Sequence, residues 1–89
     1  MDFNTVFDLL GQIKDDRTVP RNIRTAVERA LDYLQEGEED IIIRISSAIS
    51  VLDDISNDPN MPMYTRTQIW NLVSILEVMN EKAKTGKTV

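Results

Sequence analysis

Neither cysteine nor histidine occurs in the 89-residue chain. Without cysteine there is no disulfide framework and no thiolate metal site. Without histidine the side chain that titrates nearest neutrality is missing, which leaves carboxylates, lysines and tyrosines for acid–base work. Zinc and haem chemistry are therefore not expected, and no cofactor is implied. No glycine motif outlines a phosphate or nucleotide pocket: Lys84-Thr85-Gly86-Lys87-Thr88 has the ending of a phosphate loop, but Glu81 stands where its first glycine belongs. Long apolar runs are lacking too. No stretch approaches the roughly 20 apolar residues of a membrane span, and Met1 to Leu10 has neither the basic flank nor the continuous apolar core of a signal peptide. A cytoplasmic location is the resulting expectation. Positive charge is in short supply: 15 acidic residues against 10 basic give a net charge of −5, a field that repels a polyanion. Direct binding of nucleic acid is not expected.

What is present is a duplication. Residues 9–35 and 51–77 align at an offset of 42 positions, with seven identities among 27 pairs: Leu10/Leu52, Ile13/Ile55, Asp16/Asp58, Pro20/Pro62, Arg24/Arg66, Thr25/Thr67 and Leu34/Leu76. Ordinary composition gives roughly two by chance. A period of this length belongs to helical-pair repeats, whose units cannot bury an apolar face alone. The spacing of apolar residues predicts an all-α domain spanning residues 1–89, built from two repeated hairpins (about 3–35 and 39–84) with helices over about 3–14, 19–35, 39–56 and 61–84 and a frayed tail at 85–89.

The start and stop signals predict how these helices are punctuated. Asp2 is expected to cap the first helix, and Thr18 and Asn60 the second and fourth, each followed two positions later by a proline inside the first turn. Gly37 is expected to end the second helix in a left-handed conformation. Glu38, Glu39 and Asp40 are expected in the first turn of the third, where the helix dipole favours negative charge. Leu9 and Val51, about 100° from the main stripe, widen the apolar face in both copies. That suits helices touching both their own hairpin and the next, in a two-layer four-helix domain.

The segment from Leu9 to Leu31, with Leu9-Leu10, Ile13, Asp15-Asp16, Val19-Pro20, Ile23-Arg24, Ala26 and Ala30-Leu31 at its spaced positions, resembles a HEAT repeat. That resemblance implies that the acidic turn and the arginine help pack adjacent units, and that the fold serves as a binding scaffold. The acidic turn is about two residues longer here, and Thr65 replaces the apolar residue before Arg66. Over its whole length the chain resembles the small archaeal proteins grouped as uncharacterised protein family 0147, on the paired segments Asp15-Asp16-x-x-Val19-Pro20-Arg21-Asn22-Ile23-Arg24 and Asn57-Asp58-Pro59-Asn60-Met61-Pro62. This implies a helical bundle and no assigned activity.

Subtracting one copy from the other isolates candidate functional residues. Met63, Tyr64 and Trp70 stand where the first copy has Arg21, Asn22 and Glu28. Met63 and Trp70, seven apart, share a helix face roughly 130° from the core stripe. With Arg66 they form a candidate interface for a protein partner or a homodimer, since Met and aromatics are enriched at such surfaces. The competing expectation is that Trp70 packs on helix 1 or helix 3, or stacks on Arg66, because the sole tryptophan of a small domain is usually buried. Arg24 and Arg66 are expected to reach back to the acidic turns as packing residues, with Asp16, Pro20, Asp58 and Pro62 as the other structural repeat positions. The alternative for the arginines is anion binding.

Asp15, Asp16, Asp53, Asp54 and Asp58 border one edge of the stacked arrangement. Carboxylates of that kind bind hard cations, but a calcium loop from Asp54 fails, with Pro59 at its sixth position and Thr65 at its twelfth. Solvated turn carboxylates, with no metal, are the expectation. The functional expectation is a non-enzymatic protein-binding or self-associating module. The alternative is a small accessory factor docking on an RNA–protein particle such as the ribosome through Arg17, Arg21, Arg24 and the tail lysines Lys82, Lys84 and Lys87.

Overall fold

A computed structural model describes residues 3–85. It contains α1 (Asn4–Lys14), α2 (Arg21–Gln35), α3 (Ile41–Ile55) and α4 (Met63–Lys84), and among the described residues there is no strand. No helix is long and apolar enough to cross a membrane. The core is an apolar stripe on each helix: Leu10 and Ile13 of α1, Ile23, Val27 and Leu34 of α2, Ile45 and Leu52 of α3, and Ile69, Leu72 and Leu76 of α4 are all buried. Removal of such a side chain typically costs about 2–5 kcal/mol. Leu9 and Val51 are half-buried against the core's flank.

The helices form a closed ring. α1 packs on α2, α2 on α3, α3 on α4 and α4 on α1, and among the described residues no α1–α3 or α2–α4 pair of Cα atoms comes within 8 Å. A translational stack of hairpins would put α1 beside α3 and α2 beside α4. Instead equivalent helices lie on the diagonals, so the hairpins meet as if related by a two-fold axis along the bundle. The two seams between hairpins are unequal: α2–α3 is extensive and α1–α4 thin. Both acidic turns lie at one end, as the bond from Asn22 Nδ2 to Asp58 Oδ2 (2.7 Å) shows. Far along the α3–α4 pair, Asn80 Nδ2 donates to Ser46 Oγ at 3.2 Å. Asn80 is 8% exposed, and its Oδ1 has no protein partner.

The helix starts differ from the sequence expectation for one physical reason. Pro20 and Pro62, not Thr18 and Asn60, occupy the cap positions, with extended ψ values of 148° and 146°. A residue preceding proline is pushed out of the helical region, so Val19 and Met61 cannot be helical, and the helices begin two residues late. Val19 and Met61 turn inward and are buried. Thr18 and Asn60 belong to a side-chain-closed turn: Asp16 Oδ1 accepts from Thr18 N (2.9 Å) and Oγ1 (2.6 Å), and Asp58 Oδ1 accepts from Asn60 N (2.8 Å). Asp16 and Asp58 thus close the same turn in each hairpin.

The central connection also departs from expectation. Gly37 has no left-handed backbone; Glu36, extended at the end of α2, accepts instead from the backbone N–H groups of Glu38 and Glu39. Glu38 and Glu39 precede α3 rather than opening it, and Asp40 is its cap, accepting from Ile42 N at 2.9 Å. At α1 the cap position is Phe3, whose ring stacks on Phe7 at 5.7 Å. Asp2 and residues 86–89 of the expected tail lie outside the described residues.

Candidate functional site

The residues that differ between the copies lie on the surface of α4. Met63 is 77% exposed, Tyr64 70% and Trp70 68%, which corrects the expectation that the indole covers helix 1 or helix 3. Stacking on Arg66 is replaced as well: that guanidinium donates to the backbone oxygens of Ser56 and of Asp58 (2.9 Å to the latter). It therefore closes the carbonyl end of α3, a common role for a cation at a helix C-terminus. Tyr64 sits about 120° round the helix from Trp70, so the patch proper is Met63 and Trp70, with Tyr64 toward the turn end.

Trp70 forms one wall of a groove of about 220 Å³ between α3 and α4, together with Asp53, Ser56, Arg66, Ile69 and Val73. Its floor is apolar, because Ile69 belongs to the core and Val73 packs against it. The Ser56 hydroxyl is turned away, donating to the Asp53 backbone oxygen at 2.7 Å.

Arg24 is half-buried, and its Nε donates to Val19 O at 3.0 Å within its own hairpin. A third arginine, missed by the repeat comparison, does for α2 what Arg66 does for α3: Arg44 donates to Leu34 O and, at 3.4 Å, to Tyr33 O. Its position in the first turn of the following helix was the available signal.

The acidic edge is dispersed. Asp53 borders the α3–α4 groove while its neighbour Asp54 borders another, between α2 and α3, and among the described residues no three acidic groups gather to hold a metal. The turn carboxylates work as acceptors. Thr18, through its hydroxyl and then its N–H, holds Asp16 below its ordinary pKa. The Asn60 N–H and then the Asn22 amide do the same for Asp58, and the N–H groups of Glu38 and Glu39 for Glu36.

The α2–α3 groove, about 290 Å³, has walls of Arg29, Tyr33, Ser47, Ser50 and Asp54 above Ala26, Val51 and Ile55. Sequence reasoning missed it, though the alignment held the signal. Ala26 corresponds to Gln68, a longer side chain whose Oε1 is buried without a hydrogen-bond partner.

Comparison with known proteins gives a consistent family. The family model described as "Uncharacterised protein family (UPF0147)" matches residues 1–79. A UPF0147 protein of Methanocaldococcus jannaschii is 60% identical over 70 residues, covering 78% of this chain and 74% of its own length. One from Methanothermobacter thermautotrophicus is 47% identical over 79 residues, covering 89% and 78%. Among solved structures, a UPF0147 protein of Thermoplasma acidophilum superposes with a TM-score of 0.83 at 35% identity, covering 86% of this chain and 91% of its own. A crystal structure of a protein of unknown function reaches 0.82 at 51% identity, covering 84% and 85%.

Proposed function

The chain belongs to the uncharacterised protein family UPF0147, and from that premise we propose that it is a non-enzymatic module that binds protein through the Met63/Trp70 face of α4. One observation carries the reading: the sole tryptophan is 68% exposed, at a position where the other hairpin has the polar Glu28. An apolar side chain kept at the surface against the hydrophobic effect calls for a covering partner, and tryptophan is the residue most often central to such contacts. Arg66 supports the face indirectly by holding the end of α3 beside it.

The RNA–protein reading has weaker support. The Arg24 guanidinium is engaged with its own backbone, which leaves only Arg17 and Arg21 of that arginine set exposed.

Photo-crosslinking tests the proposal. A benzophenone side chain at position 63 is expected to capture a defined protein in cell extract, with capture lost in Trp70→Glu, while the same group at position 32 captures none. Sedimentation of the wild type and Trp70→Glu reports self-association. A protein that neither crosslinks from position 63 nor self-associates overturns the reading.

A further inference from the structure

Resting on that reading of the α4 face, we propose that the groove beside Trp70 receives a lysine or arginine side chain from a basic segment of another protein. The cation would sit between the indole face and the Asp53 carboxylate. Among the described residues Asp53 has no hydrogen-bond or ion-pair partner for its carboxylate, although it borders the groove. The exposed indole lines the same groove, and an aromatic face within about 6 Å attracts a cation. The apolar floor of Ile69 and Val73 suits the methylene stem of a long basic side chain. At about 220 Å³ the groove is smaller than the roughly 300 Å³ at which pockets for drug-sized ligands begin, which fits one inserted side chain.

Charge favours the same occupant. Residues 39–84 carry seven acidic side chains against four basic, Arg44, Arg66, Lys82 and Lys84, and both guanidiniums donate to backbone carbonyls. Residues 3–35 carry five acidic and five basic side chains: Asp8, Asp15, Asp16, Glu28 and Asp32 against Lys14, Arg17, Arg21, Arg24 and Arg29. The groove's counterpart in that hairpin has Gly11 for Asp53, Glu28 for Trp70 and Lys14 for Ser56. The carboxylate and the indole occur together only in the second copy.

A second copy of this chain suits the groove poorly. Each copy has a net charge of −5, and a two-fold pairing on α4 would set Glu77 and Glu81 into the shared face.

Trp70 is the only tryptophan, so its fluorescence reports the site directly. An acetylated, amidated hexa-arginine peptide is expected to perturb that emission saturably, and a hexa-glutamate peptide not at all. Asp53→Asn should weaken binding at least about 10-fold, as for a charge-assisted hydrogen bond. Asp32→Asn, which removes the same charge from the other hairpin, should weaken it less than about 2-fold, and Trp70→Leu, followed by calorimetry, about 3-fold. Equal losses in Asp53→Asn and Asp32→Asn would overturn the proposal, because the peptide would then be sensing net charge. So would a wild-type dimer dissociated by Trp70→Glu, which puts a second copy on the groove. Either result can stand with crosslinking from position 63 intact, whereas absence of crosslinking and self-association overturns the protein-binding reading itself.

Discussion

The two hairpins are built alike and finished differently. Both fold back through a turn closed by an aspartate, Asp16 or Asp58, and both start their second helix after a proline in extended conformation. In the first hairpin the surface of that second helix is polar apart from the partly exposed Tyr33, and the charges balance. In the second it carries exposed Met63 and Trp70 and an excess of carboxylate. What the copies share answers to folding, and what they do not share is open to selection for something else.

The largest expected effect tests the shared part. Leu10→Ala and Leu52→Ala remove equivalent, fully buried side chains, and each should lose about 2–5 kcal/mol in urea denaturation. A loss confined to one hairpin would break the equivalence of the two halves.

Arg66→Ala and Arg24→Ala come next. Arg66 holds two carbonyls at the end of α3 while Arg24 holds one, so Arg66→Ala should cost about 1.5–3 kcal/mol and Arg24→Ala less. Equal costs would mean that the second guanidinium bond of Arg66 contributes nothing.

Acid should weaken both turns. Asp16, Asp58 and Glu36 are held below their ordinary pKa values, so the unfolded chain takes up protons before the native one does. Their stabilisation is complete above the unfolded values, near pH 4, and is lost as pH falls through the folded ones. Denaturation midpoints should therefore drop below about pH 4, and Asp16→Asn or Asp58→Asn should flatten that drop while lowering stability at neutral pH. Asp58→Asn should be the more damaging, since Asp58 also accepts from Asn22 across the hairpins.

The smallest effect sharpens the difference between the halves. Trp70→Glu, which restores the first hairpin's residue type, and Met63→Glu should each change stability by less than about 0.5 kcal/mol in thermal melts. A loss above about 2 kcal/mol would show that the indole belongs to the fold.

Helix number, order and core were legible because apolar spacing and a 42-residue period leave few alternatives. The starts of α2 and α4 were misread because Thr18 and Asn60 are good caps, yet the steric demand of each proline on the residue before it dominates. Gly37 offered conformational freedom that the chain does not use, since the Glu36 carboxylate satisfies the turn N–H groups itself. The substitutions at Met63, Tyr64 and Trp70 were plain in the alignment, but their exposure depends on which helices become neighbours. Whether hairpins stack by translation or close by rotation is decided by side chains meeting across seams. One linear pattern serves both arrangements.

The ring of four helices sets the length of the array. In an open solenoid every unit leaves an apolar edge for the next, and growth stops only where a polar terminal unit ends it. Here each hairpin offers both of its edges to the same neighbour, so two units saturate each other. A third copy inserted by further duplication would find no seam to occupy without first opening α1 from α4, the thinner of the two joints. Duplication in this architecture is self-limiting, and diversification is directed outward, onto the solvent faces of helices whose inner faces are already committed.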